Sequence, residues 1–276
     1  MLKFYLFEAG ATKTTFIKVF ENGTEELILP AFNANRDHSE FEEALKSRIE
    51  LKANSKVYFY GSGCAAESNK NKVKRLFESF SLSHLEVHDD IIAAARSVYG
   101  NDAGIVGILG TGGLAAYYNG QTIESRRGGY GYLLGDLGGG FELGKRFLAL
   151  WLNGDLSQKA NEIINEKLEI SHESFVSNFY SNPDLDFISK MTIYALQFEE
   201  EEVVKQMLEK YFADYISSNI SPHCKEQKRD SFSTVGSVGY LFKRHLEKSA
   251  SILGLNLNTS IQYPSKALVE YHRKNS

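Results

Sequence analysis

"LKFYLFEAGATKTTFIKVFENG", residues 2–23, and "AGIVGILGTGGLAAYYNGQTI", residues 103–123, follow one pattern. An apolar run leads into a turn of small residues holding a threonine. A second apolar run follows, and then Asn-Gly. Apolar runs bounded by glycine predict strands, so each stretch predicts a tight hairpin. The same unit met twice, some hundred residues apart, predicts a duplicated building block.

What surrounds the hairpins sets the class. The chain has 276 residues and a formal net charge of −4. That length suffices for two domains, and near-balanced charge argues against nucleic acid or an anionic membrane surface as partners. The opening apolar stretch is too short for a signal peptide or a span, and no longer one follows, which predicts a cytoplasmic protein. Cys64 and Cys224 make neither a disulfide framework nor a four-ligand metal site, and the seven histidines show no metal-ligand spacing.

Between the hairpins the pattern alternates. "SEFEEALKSRIE" (39–50) predicts a helix with Ser39 and Glu42 at capping-box spacing. "KVYFYGSG" (56–63) predicts a strand and "KVKRLFESF" a helix. "LEVHDD" predicts a short strand running into the helix "IIAAARSVYG", stopped by Gly100. This is the alternation of an α/β layer. Fifteen of the 23 glycines fall between Gly100 and Gly144, so this region is built on turns and close backbone approaches. Beyond residue 141 the chain is mostly helical, with "SNPDLD" and "SNISPHCK" as loops, and the acidic run Glu199 to Glu202 opens one helix.

Four stretches carry candidate chemistry. In "EAGATKT" (8–14), Gly10 and Ala11 form a tight turn whose backbone N–H groups, with the hydroxyls of Thr12 and Thr14, suit phosphate oxygens. The GK[ST] ending of a P-loop is absent. Glu8 at the strand end suits magnesium bound through water. "GTGG" (110–113) is the matching second turn. Each turn alone is equally an ordinary hairpin; the pair points to a polyphosphate gripped twice. In "VHDDIIAAAR", Asp89 and Asp90 stand at a strand-to-helix junction, where one can cap the helix and the other face a ligand. "GSVG" (236–239) opens a helix, either as a flat surface for a ligand or with Ser237 as a plain N-cap.

Taken in order, "EAGATKT", "FYGSGC", "VHDDIIAAAR", "GILGTGG", "GGYGYLLGDLGGG" and "GSVGYLFK" resemble the N-acetylglucosamine kinase-like members of the BadF/BadG/BcrA/BcrD ATPase family. That family has the actin/hexokinase/heat-shock-chaperone ATPase fold. The resemblance runs to "YPSKALVEYHRK", which looks like a final helix returning to the first domain. It implies an α/β protein with a duplicated ribonuclease H-like motif, in two domains: residues 1–103 plus 265–276, and a helix-enriched 104–264. It further implies ATP and Mg2+ held between the domains, a sugar substrate, and a possible homodimer. Gly10, Ala11, Thr12 and Lys13, with Gly110, Thr111 and Gly112, would hold phosphates. Gly236 and Ser237 would meet the adenosine, and Glu8 the magnesium. Asp90 matches the catalytic base. Asn33, in "PAFNAN", and Gly129, Tyr130, Gly131 and Asp136 match positions that line the sugar.

The sequence departs from the family at three places, the first being Glu8, where many relatives have aspartate. "GTGGLA" stands for GTGSN, placing Gly113 and Leu114 where a serine and an asparagine would meet the sugar. "GDLGGG" stands for GDEGSG, with Leu137 and Gly139 in place of Glu and Ser. An apolar Leu114 points to an acceptor with a less polar substituent, and the consecutive glycines to a backbone pressed against the ligand. The expectation is a kinase acting on the 6-hydroxyl of an amino sugar such as N-acetylglucosamine. The alternative is a catalytically weakened ATP or sugar sensor of the same fold. A reductase-activating ATPase of the same superfamily would need iron–sulfur cysteines, and Cys64 and Cys224 lie in the wrong contexts.

Overall fold

The apolar strand Leu2–Ala9 (β1) is buried on both faces, with Phe4, Tyr5, Leu6 and Phe7 nearly inaccessible, and such a strand belongs in the middle of a sheet. A computed structural model, which describes residues 1–169 and 172–275, places it there. β1 pairs antiparallel with Thr14–Phe20 (β2), and β2 with Gly23–Leu29 (β3). On its other side β1 runs parallel to Lys56–Gly61 (β4), which runs parallel to His84–Asp89 (β5). The sheet order is β3-β2-β1-β4-β5. One face packs Phe7, Phe16, Phe59, Phe32 and Phe41 with the helices Ser39–Arg48 and Glu67–Leu76. The other packs Phe4, Leu6, Tyr58 and Tyr60 against Ala93, Leu268 and Val269 of the helices Asp90–Tyr99 and Ser265–Asn275. This first unit comprises Met1–Asp102, Gly120–Thr122 and the segment from Pro264 onward.

The second unit, Ala103–Asn119 with Ile123–Tyr263, repeats that topology. Gly104–Leu109 (β6) pairs antiparallel with Gly113–Tyr118 (β7), and β7 with Ile123–Gly128 (β8). β6 runs parallel to Ser231–Val235 (β9), which runs parallel to Asn256–Ile261 (β10). The order, β8-β7-β6-β9-β10, is the first sheet's order strand for strand. The two hairpins are thus one unit used twice. Between β8 and β9 this unit carries most of the helices, packed around Phe147, Trp151, Tyr211, Phe212 and Tyr215. Among the described residues no helix is long and apolar enough to cross a membrane.

Several local expectations are corrected. The third strand of each sheet is not announced by the sequence, because β3 and β8 are edge strands rich in Glu and Arg, the charged character that protects an exposed edge. Ser39 is the first helical residue and forms no capping box; His38 holds the N-cap position, and Asp37 accepts from Ser39 N–H and Oγ. "SNISPHCK" is a π-helical turn, Ile216–Ile220, followed by the helix Ser221–Gln227, not a loop. Ile216, Ile220 and Cys224 bury one face of it, and Pro222 stands just after the π-helical turn. "VGYLFKRHLEKSASILG" is two helices, Ser237–Leu241 and Lys243–Ile252.

The C-terminal helix Ser265–Asn275 is fixed to the first sheet by a buried histidine. His272 stacks on Tyr58, with ring centroids 3.6 Å apart, and its Nε2 accepts from the Tyr60 hydroxyl at 2.7 Å. Burial, and then the charge of Arg96, push its imidazole down to about 3. A histidine held neutral in the fold stabilises fully above its unfolded value near 6.5, and that stability is lost as pH falls toward 3. Between pH 7.5 and 5.0 this residue alone should remove about 2 kcal/mol from wild-type stability. Urea melts of wild type and His272→Leu at the two pH values check this. The variant should lose less stability on acidification, and equal losses would refute the assignment.

Candidate active site

The expected site residues of the first unit gather where parallel strands end. β1 closes on Glu8 and Ala9, β4 on Gly61, and β5 on Asp89, with Gly61 paired to Asp89. The carboxyl ends of parallel strands are where open α/β sheets bind ligands. Gly10 N–H donates to Lys13 C=O at 2.9 Å, closing the hairpin turn, and Ala11, Thr12 and Lys13 are exposed at its tip. Thr14 is not part of that surface: it is fully buried, and its Oγ1 has no hydrogen-bond partner. Gly10 C=O accepts from Phe32 N–H at 3.1 Å, which brings Asn33 beside the turn. The Asn33 side chain is held on both sides, its Oδ1 accepting from Asn35 N–H and its Nδ2 donating to Ser62 Oγ.

Asp90 is the first residue of the helix Asp90–Tyr99 and is half-buried. Asp89 occupies the N-cap position and is buried, but its carboxylate makes no capping bond. Capping by an aspartate side chain is therefore not what holds this junction. Glu8 is nearly enclosed. Burial raises its pKa, against the Ser265 hydroxyl that donates to it at 3.2 Å and the charge of Lys13. One hard carboxylate with a bonded oxygen fits a hydrated magnesium, which keeps several waters, and not a protein-built cage. Among the described residues no group of three or more potential ligands forms such a cage.

In the second unit the glycines of "GDLGGG" explain themselves. Gly138 has φ +100°, and a Cβ there would stand 2.6 Å from the Tyr215 ring. A Cβ on Gly139 would stand 2.5 Å from Gly112 Cα and 2.6 Å from Thr111 O. From the other side, a Cβ on Gly113 would meet Gly139 N at 2.6 Å. The close approach demanding bare backbone is therefore between two loops of the same unit, not between loop and ligand. The two departures from the family pattern, at 113 and 139, are in contact and form a single packing change. Gly140 N–H donates to Gly110 C=O at 2.7 Å and Phe141 N–H to Thr111 C=O at 3.1 Å. The "GTGG" turn thus satisfies the first N–H groups of the helix Gly140–Asn153, which a helix cannot satisfy itself.

Two buried tyrosines, absent from the expected site residues, hold this assembly. Tyr211 accepts from Gly138 N–H at 2.9 Å and donates to Gly139 C=O at 2.7 Å. Tyr215, one turn further along the helix Glu202–Tyr215, donates to Leu114 C=O at 3.0 Å. Burial raises both hydroxyl pKa values, so both remain donors at working pH. In sequence they look like any aromatic pair at helical spacing. Asp136 accepts from Gly131 N–H at 3.0 Å, with its carboxylate against Gly112. Gly129, Tyr130 and Gly131 lie in the loop so tied, where Tyr130 is exposed. Leu114 is buried beneath the Gly129 backbone, so its position does not support its reading as an apolar wall for the acceptor.

Gly236 follows β9 at φ +124°, and a Cβ on it would meet Gly110 N at 3.0 Å. It is bare to pack on the turn that opens at Gly110, and it, rather than Ser237, holds the N-cap position of the next helix. Gly110 differs. Its φ is ordinary and a Cβ on it would meet nothing within 4 Å. Gly10, at the same place in the first hairpin, also has an ordinary φ and only a 3.4 Å contact. The protein's own packing does not require glycine at either position; an approaching anion would.

These features define a class: a duplicated β3-β2-β1-β4-β5 sheet with glycine turns after the first strand of each copy, the actin-like ATPase fold. A ROK family glucokinase from Streptomyces griseus, solved with glucose and AMPPNP, shares the fold at 14% identity, TM-score 0.59, over 99% of each chain. More particularly, the chain is similar to N-acetylglucosamine kinases. A candidate N-acetylglucosamine kinase from Porphyromonas gingivalis matches at 26% identity over 99% of each chain, with TM-score 0.89. N-acetyl-D-glucosamine kinase of Dictyostelium discoideum is 26% identical over 224 residues, 71% of this chain and 70% of that protein. No family model matches the chain.

Three substitutions separate packing glycines from the open one. Tyr211→Phe strands Gly138 N–H and Gly139 C=O and should cost about 1–3 kcal/mol in urea unfolding. Gly139→Ala should destabilise at least as much, since the atoms it meets are backbone. Gly110→Ala should leave stability unchanged or raise it by up to about 1 kcal/mol. If Gly110→Ala destabilised as much as Gly139→Ala, this packing account would fail.

Proposed function

We propose that the protein is an ATP-dependent kinase that phosphorylates the 6-hydroxyl of an amino sugar, N-acetylglucosamine or a relative of it. The observation that supports it most is that neither Gly10 nor Gly110, at matching places in the two copies of the fold, is required to be glycine by the protein's own packing. Phosphoryl transfer asks a protein for positioning and for neutralisation of spreading charge, more than for covalent help. The turns Gly10–Lys13 and Gly110–Gly112 are read as the phosphate cradles, with Gly236 and Ser237 toward the adenosine. Glu8 would hold magnesium through water, and the metal supplies charge neutralisation when bound.

Asp90 is the proposed base. Its carboxylate accepts the proton of the 6-hydroxyl as that oxygen bonds to the γ-phosphorus, and ADP leaves with the electron pair of the broken P–O bond. Asn33, Gly129 to Gly131 and Asp136 are read as the sugar side of the site. The fixed Asn33 amide and the tethered Asp136 loop suit that role, because positioned groups bind with little entropy left to lose. A cytoplasmic location, where ATP is supplied, belongs to the same proposal.

Asp90→Asn should lower kcat by about 10²–10⁴-fold with ATP binding kept, as removal of a positioned base does. Turnover is measured by coupled ADP release with N-acetylglucosamine, glucosamine and N-acetylmuramic acid. An Asp90→Asn protein with wild-type turnover would exclude that residue. ADP release unaffected by every sugar would favour a sensor over a kinase. Gly110→Ala, expected to fold as stably as wild type, should weaken ATP binding by about 2- to 12-fold, the worth of one displaced hydrogen bond. Isothermal titration with a non-hydrolysable ATP analogue checks it.

A further inference from the structure

The helix carrying Asp90 is anchored at its far end by a buried polar chain that no ligand-binding role uses. Arg96, only slightly exposed, donates through Nη1 to the Tyr60 hydroxyl at 2.7 Å. Tyr60, wholly buried on β4, sits 2.7 Å from His272 Nε2 on the C-terminal helix. The guanidinium also lies over the Tyr271 ring at 5.1 Å and 4.0 Å from the Glu86 carboxylate. Glu86 in turn takes His84 and His88, each at 2.9 Å. Buried hydrogen bonds of this kind are strong in their low-dielectric surroundings and hold their members in a restricted arrangement.

One assignment of protons gives the Tyr60 hydroxyl proton a partner within this chain. Arg96 can only donate, so the Tyr60 oxygen accepts from it. The Tyr60 O–H then points at His272, whose Nε2 must be bare to accept. Burial and the neighbouring Arg96 charge hold His272 neutral, and burial keeps the Tyr60 proton in place. The chain is therefore directional and rigid at working pH. It ties β4 and the C-terminal helix to the helix Asp90–Tyr99, a turn and a half beyond Asp90.

We propose that Arg96, Tyr60 and His272 are positioning residues that set the direction in which Asp90 is presented to the acceptor hydroxyl. The inference rests on Asp90 being the base. A catalytic group displaced by about 1 Å can lose about 100-fold in rate, so a tether of this kind governs turnover without touching substrate. Arg96 and Asp90 also share one short helix, in which a tilt at one end moves the other.

The test is a double-mutant cycle on the full chain, with ATP and N-acetylglucosamine as substrates. Tyr60→Phe, which keeps the ring and removes both bonds, should lower kcat by about 10- to 100-fold with KM for ATP unchanged. His272→Leu should do the same, whereas His272→Gln, which keeps an acceptor, should retain most of the wild-type rate. On an Asp90→Asn background Tyr60→Phe should cause no further loss, because it acts only through that carboxylate. Equal losses on both backgrounds, or wild-type kcat in Tyr60→Phe, would overturn the relay while leaving the base intact. A fully active Asp90→Asn chain, or a wild-type chain without turnover, would instead overturn the base or the function, and the relay with it.

Discussion

The second unit depends on one contact: the bare backbone of Gly138 and Gly139 laid against the turn Thr111–Gly113, under two tyrosine hydroxyls. A Cβ added at Gly139 or Gly113 would meet backbone, and one at Gly138 the Tyr215 ring, closer than a packed interior allows. The contact has three consequences. It seats the turn whose carbonyls complete the helix Gly140–Asn153, and it leaves Gly110 facing open space. It also ends at Asp136, whose carboxylate ties the Gly129–Gly131 loop. The energy of the contact is modest per bond, but each bond left unmade would strand a buried peptide group.

The first unit reaches the same end by different means. Its sheet has the same order, and the residues expected to form its part of a site also stand at the carboxyl ends of parallel strands. Yet among the described residues of this unit no glycine loop is laid against the turn Gly10–Lys13, and its order comes from side chains. Ser265 reaches Glu8, Ser62 reaches Asn33, and the Arg96–Tyr60–His272 chain holds the helix behind Asp90. Duplication fixed the topology of the two units; what stabilises each site then diverged. The C-terminal helix is central here, since Ser265 at its start and His272 near its end both bond to strands of the first sheet.

The departures at Gly113 and Gly139 take on a different meaning in this light. As isolated letters they read as lost sugar contacts and argue for a weakened site. In space the two loops touch: a serine at 113 would collide with the backbone of Leu137 to Gly139, and one at 139 with that of Thr111 and Gly112, so small residues at both are one solution to one packing problem. Leu114, taken as a clue to the acceptor, faces the Gly129 backbone instead.

The sequence by itself determined the duplicated hairpins and the alternation of strands and helices between them. These are local: apolar period, glycine punctuation and the strand-to-helix junction at Asp89–Asp90 are written in neighbouring residues. It did not reveal β3 and β8, because edge strands carry charge and read as loops. Nor did it separate the glycines, since Gly139, Gly236 and Gly110 are the same letter. Only the tertiary structure shows that the first two face their own protein and the third faces space. The partners Tyr211, Tyr215, Tyr60 and His272 were equally hidden. Their roles come from residues some 70 to 210 positions away, and a hydrogen bond across such a separation leaves no periodic trace in the chain.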